Sequence, residues 1–232
     1  MNIIRLYPAS NQIAEDVLER YRRVQSSAVS DSQERVSGAV NISPVGNCLV
    51  PLEGRSMVGT ALTVRTRAGD NLAVHQALDL ARPGDVLVID ARGEVTNAIL
   101  GELMTLYAAS RGIAGIVLDG AIRDHDELSA GPIPVFARGV SHLGPYKSGP
   151  GAIHTAVTVG GTVVHDGDLV VGDADGVVFV SPDRIEPVLT SAEAIMASEI
   201  KQREAIERGE WDRTWIRNAV SLIHVEEESF SV

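Results

Sequence analysis

Arg123 and Asp124 stand side by side, just after the apolar run Gly115-Ile116-Val117-Leu118 and the pair Asp119-Gly120. Glu102 lies upstream, with twenty residues between it and Arg123. A guanidinium is a planar, permanently charged fork that matches a carboxylate. A carboxylate is a hard oxygen ligand, and one or two of them plus water is the usual setting for Mg²⁺. Arg123 therefore reads as the grip on an organic acid and Asp124 as the grip on a divalent cation, with Glu102 in reach of both. The competing reading is a surface ion pair, and such pairs are weakly informative. Spacing alone leaves both open. Asp126 and Glu127 read as helix-start acids that complement the dipole.

The elements that must carry these residues form one unit. Asp85 to Asp90 reads as a buried strand, Gly101 to Arg111 as a helix ended by Gly112, and Ala114 to Leu118 as the next strand. Strand, helix and strand over this length make a right-handed crossover with parallel strands. Eleven helical residues and five extended ones each cover roughly 16 Å. The helix tip and residues 119–124 should thus meet at the carboxyl edge of the sheet, where open parallel sheets place ligands. The N–H groups from Gly101 through Glu102 and Leu103 to Met104 lack helical partners and would face an anion.

Around this unit the chain reads as one α/β domain of residues 1–208 with a tail, 209–232. Residues 10–24 and Ser30–Val36 read as helices, 43–54 as irregular, Met57–Arg67 as a strand and Asn71–Leu80 as a helix. Short strands with glycine turns follow between Ile133 and Val180: 135–137, 156–159, 162–164, 169–171 and 177–180. A long helix starts at Ser181-Pro182 and runs to about Arg208, with Ile185, Val188, Leu189, Ala192, Ile195 and Met196 as its stripe. Trp211 and Trp215 are spaced to share one face of a tail helix, which would cover a neighbouring subunit or the chain's own core.

The 232 residues are 44% hydrophobic and 22% charged, with a net charge of −11 that argues against phosphate-mediated binding to nucleic acid. No apolar window is long enough to span a membrane, and the first residues lack a signal-peptide core. A single Cys48 excludes an internal disulfide and suits a cytoplasmic location.

Glu102, the twenty intervening residues, Arg123-Asp124 and the context Gly-Ile-Val-Leu-Asp-Gly-Ala-Ile-Arg-Asp resemble the signature of the 4-hydroxy-4-methyl-2-oxoglutarate / 4-carboxy-4-hydroxy-2-oxoadipate aldolases. Gly176-Val177-Val178 after Asp173 is similar too, and the likeness spans roughly residues 25–208. These enzymes belong to the superfamily of the regulator of ribonuclease activity A. The resemblance implies a β/β/α sandwich of the swivelling kind, assembled as trimers or paired trimers. It implies Mg²⁺ or Mn²⁺ held by Asp124, with Glu102 acting through water, and a pyruvyl group bound by Arg123 and the amides around Leu103 and Met104. Glu stands at position 102 where many relatives carry Asp. A carboxylate of the C-terminal helix reaches a neighbour's site in the family, and Glu199 is the candidate here, beside Glu193 and Glu204 as alternatives.

The implied reaction is retro-aldol cleavage of a 4-hydroxy-2-oxo diacid to pyruvate, with loss of CO₂ from oxaloacetate as a side activity. A water activated near Glu102 would take the hydroxyl proton. His75, after Gly69-Asp70-Asn71, is a substrate-binding candidate; an ordinary helix histidine is the equal alternative. A lysine Schiff base is disfavoured, since only Lys147 and Lys201 exist and no buried apolar run flanks Lys147; in its glycine-rich loop Lys147 reads instead as a substrate-tail contact or as solvent-exposed. No glycine-rich loop follows the first strand, which argues against a nucleotide-cofactor methyltransferase. The alternative of another class is a non-catalytic regulator that binds a ribonuclease. Such regulators lack an aspartate matching Asp124 and are shorter at the C-terminus.

Overall fold

The computed structural model describes residues 2–45 and 57–223. Cys48 and most of the stretch expected to be irregular lie outside them. Two compact units emerge, Met1–Ala194 and Ile195–Val232. Among the described residues no helix is long and apolar enough to cross a membrane.

The first unit is a mixed α/β sandwich. Its strands are β1 (Ile4–Leu6), β2 (Ser43–Pro44), β3 (Met57–Thr66), β4 (Asp85–Leu100), β5 (Gly115–Ile122), β6 (Val135–Val140), β7 (Gly151–Ile153), β8 (Val157–Val159), β9 (Thr162–Val164), β10 (Leu169–Asp173) and β11 (Gly176–Val180). Its helices are α1 (Glu15–Tyr21), α2 (Ser26–Asp31), α3 (Leu72–Leu80), α4 (Glu102–Ser110), α5 (His125–Ser129) and the start of α6 (Ile185–Glu207). The main sheet runs β1-β7-β3-β4-β5-β6-β2, with β3 to β6 parallel. The free edge of β3 is shared: Met57–Thr60 pair with β10 and Val64–Thr66 with β7, both antiparallel.

Side-chain alternation along the central strands sorts two cores. Leu87 and Ile89 of β4, with Ile116 and Leu118 of β5, pack under α3 and α4. Val86, Val88 and Val117 face the opposite way, onto Val157, Val164, Val170, Val177 and Phe179 of the later strands. Helices cover one face of the sheet and strands the other, the β/β/α layering that the resemblance implied. The β8–β9 hairpin turns through Gly160-Gly161 at φ 56° and 83°, a pair of positive values that suits two glycines.

Several local expectations fail for reasons that lie far along the chain. The helix expected over 10–24 is only α1, because residues before it are tied down: Ser10 N–H donates to Asp166 and Ile13 N–H to Thr60 Oγ1. The helix expected from Ser30 to Val36 starts at Ser26 instead, where Asp173 accepts both the Ser26 N–H (2.8 Å) and its hydroxyl (2.6 Å). It stops at Asp31, before Glu34 and Arg35 turn left-handed at φ 56° and 65°. β4 does not end at Asp90. Its residues 90–100 lie opposite only residues 119–122 of β5, the excess bulging outward through Arg92 and Gly93 at positive φ.

The second unit holds the end of α6 and α7 (Thr214–Ala219). Trp211 and Trp215 do not share a helix face: Trp215 lies in α7 while Trp211 precedes it. Asp212 accepts the Thr214 N–H at 2.8 Å and starts the helix after Trp211.

Candidate active site

Register brings the key residues together. Leu100, the last residue of β4, pairs with Ile122, the last of β5, and the Arg123 N–H donates to the Leu100 carbonyl at 3.0 Å. The chain leaves both strands at one level, so Gly101 and the first turn of α4 lie beside Arg123-Asp124. Asp124 Oδ2 accepts the Glu102 N–H at 3.0 Å and lies 3.5 Å from Arg123 Nε. A β-carbon on Gly101 would fall 2.3 Å from Asp124 Oδ2 and 2.9 Å from Arg123 Cγ, so this approach requires glycine. Asp124 itself is left-handed, φ 55° and ψ 47°, a conformation that costs most residues energy and concentrates at functional sites.

One expectation about the helix tip changes. The Glu102 N–H is not open to a ligand, because Asp124 already occupies it. Leu103 and Met104 remain in the first turn, where N–H groups have no helical carbonyl partner. Both line a cavity of about 300 Å³ with Gly101, Arg123, His75 and Lys147. The Glu102 side chain borders a separate depression with Thr105, Leu106 and Glu127, so its carboxylate is not among the groups lining the Arg123 cavity. Glu199 is exposed on the part of α6 in the second unit.

A loop closes the other side. The Ser141 N–H donates to the Ile122 carbonyl at 2.8 Å, and the Gly144 carbonyl accepts Asn97 Nδ2 at 2.7 Å. Tyr146 exchanges backbone hydrogen bonds with Gly69 and Asn71, at 2.8 and 3.0 Å. Asp70, fully buried, accepts N–H groups from Leu72, Ser148 and Gly149 at 3.0, 2.6 and 2.9 Å. Its carboxylate thus fastens the start of α3 to the segment that presents Lys147. Asn71 and Lys147 are cavity residues to which the spacing of Arg123 and Asp124 gives no clue. The only local hint was a Gly-Asp-Asn run ahead of a helix and a glycine-rich loop.

His75, half-buried in the cavity wall, is pushed below the ordinary 6.5 by loss of hydration and by Lys147, with Asp79 opposing. Its ring is neutral near pH 7. His154 lies elsewhere, paired with Asp166 at 2.8 Å in a buried contact.

The donor set suits a hard cation that keeps its water. Among the described residues no group of three or more His, Cys, Asp or Glu is arranged to hold a metal ion by itself. Asp124 uses Oδ2 for its protein contacts, and Oδ1 accepts no hydrogen bond among the described residues. A single carboxylate with one uncommitted oxygen fits Mg²⁺ or Mn²⁺ better than a metal demanding several protein ligands.

A protein of Halalkalibacterium halodurans, provisionally named 4-hydroxy-4-methyl-2-oxoglutarate aldolase, is 39% identical over 192 residues, covering 82% of this chain and 89% of that one. A crystal structure of an uncharacterized Pseudomonas syringae pv. tomato protein matches with a TM-score of 0.76 at 28% identity, covering 88% of this chain and 94% of that one. Streptomyces coelicolor RraAS2, described as an unusual member of the RNase ES inhibitor RraA family, matches with a TM-score of 0.72 at 28% identity, covering 82% and 98%. The profile of the RraA-like family, Aldolase/RraA, matches residues 26–179, and the chain belongs to that family.

Proposed function

We propose that this chain is a divalent-metal-dependent lyase of the class II pyruvate aldolase type. It cleaves 4-hydroxy-2-oxo diacids such as 4-hydroxy-4-methyl-2-oxoglutarate and 4-carboxy-4-hydroxy-2-oxoadipate, releases pyruvate, and decarboxylates oxaloacetate as a side activity. The observation that carries this reading is the junction at Gly101, where Arg123 and the first turn of α4 line one small cavity and the Asp124 carboxylate lies against Gly101 and the Glu102 N–H at its border. The aldolase name of the Halalkalibacterium relative supports it.

Asp124 would hold Mg²⁺ or Mn²⁺ directly, with Glu102 and, from a neighbouring copy, Glu199 acting through water. Bound there, the cation supplies Lewis-acid polarisation of the 2-keto oxygen. Arg123 clamps the adjacent carboxylate, and its charge favours the negative charge that grows on the keto oxygen as the carbon–carbon bond breaks. The N–H groups of Leu103 and Met104 add fixed donors at the helix tip; one such donor is worth roughly 3–4 kcal/mol in comparable sites. A water activated near Glu102 would take the hydroxyl proton, the Glu102 side chain itself bordering the neighbouring depression. Gly101 and the strand register hold these groups in place, so little reorganisation is needed during the reaction. Trimers or paired trimers, with residues 209–232 against a neighbouring subunit, complete the proposed assembly.

The test is pyruvate release from a panel of 4-hydroxy-2-oxo diacids, with and without chelator, coupled to lactate dehydrogenase. Chelator-sensitive release is expected; release that ignores chelator, or none with any panel member, rejects the assignment. A second reading follows from the likeness to RraAS2. A non-catalytic regulator would bind a ribonuclease and slow it without cleaving any panel acid.

A further inference from the structure

Three buried side-chain polar atoms among the described residues have no hydrogen-bond partner, and two of them, Asn71 Oδ1 and His75 Nε2, belong to residues that line the Arg123 cavity. Asn71 is 2% exposed. Its amide orientation is fixed, because Nδ2 donates to the Ile99 carbonyl at 2.9 Å and lies 3.3 Å from the Met104 sulfur. Flipping the amide would set two acceptors against each other at Ile99. The unpartnered atom is therefore an acceptor, and it calls for a donor. Buried polar groups left without partners are uncommon in folded proteins and point to something that completes them.

The chemistry of the missing partner is restrictive. A carboxylate or keto oxygen offers no proton, so neither end of a simple oxo diacid satisfies Asn71 Oδ1. His75 lies one helical turn further on, its N–H bonded to the Asn71 carbonyl at 3.0 Å, so both side chains leave α3 on the same side. Burial and Lys147 keep its ring neutral, which allows Nε2–H to donate. One group that donates to Asn71 and accepts from His75 is an alcohol. The cationic side chains lining the cavity, Arg123 and Lys147, are left for carboxylates.

We infer that Asn71 and His75 form an alcohol-reading subsite: Asn71 Oδ1 accepts the proton of a substrate hydroxyl and His75 Nε2–H donates to its oxygen. This rests on the lyase reading and deepens it by naming the two residues that would select the 4-hydroxyl of its substrates. A site built to bond a hydroxyl discriminates against the analogue lacking it far more strongly than an apolar pocket does. In a cavity open on one side we expect a preference of about 100-fold, well under the 10⁴–10⁵ of fully enclosed sites.

The test uses 4-hydroxy-2-oxoglutarate and 2-oxoglutarate, which differ by that hydroxyl alone. Binding to full-length protein with Mg²⁺ is followed by thermal shift, and turnover by pyruvate release. The wild type should favour the hydroxylated acid in binding, and this ratio should fall at least tenfold in both Asn71→Leu and His75→Phe. Asn71→Ser, which restores a smaller acceptor, should recover part of it. Equal binding of the two acids by the wild type, or loss of both ligands in parallel in the variants, overturns the subsite. Preferential binding of the hydroxylated acid without any cleavage would leave the subsite standing and reject the lyase assignment.

Discussion

The Asp124 carboxylate and the Glu102 N–H, twenty-two positions apart, meet at 3.0 Å and join the exit of β5 to the first turn of α4. A residue assigned to hold a cation is thus also the acceptor at a helix start, and its two oxygens have separate duties. That separation makes the duties experimentally divisible.

Asp124→Asn keeps an acceptor for the Glu102 N–H and tolerates the left-handed backbone, but removes the charge. Stability should stay within about 1 kcal/mol of wild type, as for substitutions that preserve local geometry. Metal-dependent turnover should fall at least a hundredfold, with loss of Mg²⁺ binding in calorimetry. Normal metal affinity would mean that the cation is held elsewhere.

Gly101→Ala introduces the β-carbon that would sit 2.3 Å from Asp124 Oδ2. The crowding atoms belong to side chains exposed on one side, so they can move. The fold should survive at a loss of about 1–2 kcal/mol, the usual cost of overpacking. Turnover should drop about a hundredfold because the approach of Arg123 and Asp124 to the helix tip is lost. Kinetics set against a urea unfolding curve separate the two effects.

Arg123→Lys retains the positive charge and discards the fork. If the guanidinium clamps a carboxylate in two-point fashion, kcat/KM should fall by about two orders of magnitude and approach that of Arg123→Ala. Near-wild-type activity in the lysine variant would reduce Arg123 to a general field effect.

How far the chain disclosed these arrangements differs from residue to residue. The crossover from Asp85 to Leu118 was readable because apolar runs, a helix of standard length and glycine stops all agree over a short span. The equal lengths expected of helix and strand do not hold, since β5 runs on to Ile122 and β4 to Leu100; the paired ends of those two longer strands set Glu102 beside Arg123. What stayed hidden depended on distant partners. Asp173 sets the start of α2 from the far side of the chain, and Asp166 keeps residues near Ser10 out of a helix. Periodicity in a window of ten residues holds no trace of either. Asn71 was obscured likewise, and the glycine-rich loop of Lys147 could be read as one that approaches a ligand but not placed, since the Asp70 carboxylate and the Tyr146 backbone bring the 144–149 loop to the start of α3 from far along the chain.

Asp70→Ala tests that fastening. Removing the buried carboxylate leaves the N–H groups of Leu72, Ser148 and Gly149 without their acceptor. A destabilisation of about 3 kcal/mol is expected, in the range for breaking charge-assisted bonds in a buried place. KM should rise more than kcat falls, because Lys147 is displaced while Arg123 and Asp124 keep their supports.

His75 provides a pH handle with a definite sign. Its folded value lies below the unfolded 6.5, so on acidification the unfolded chain takes up this proton first. Its contribution to stability is full above about pH 6.5 and diminishes as pH falls below that value. His75→Gln should flatten the dependence of the urea midpoint on pH between about 5 and 7. An identical slope in the variant would show that His75 titrates alike in the folded and the unfolded chain.

The left-handed backbone at Asp124 bears on how such a scaffold changes over generations. Asparagine and glycine are the residues most at ease at φ 55°, and each is one nucleotide away from aspartate. The aspartate proposed to hold the cation could therefore give way to asparagine without endangering the fold, and the surviving sandwich would then be available for other employment. A family described jointly as Aldolase/RraA is what such an inexpensive exit would leave behind.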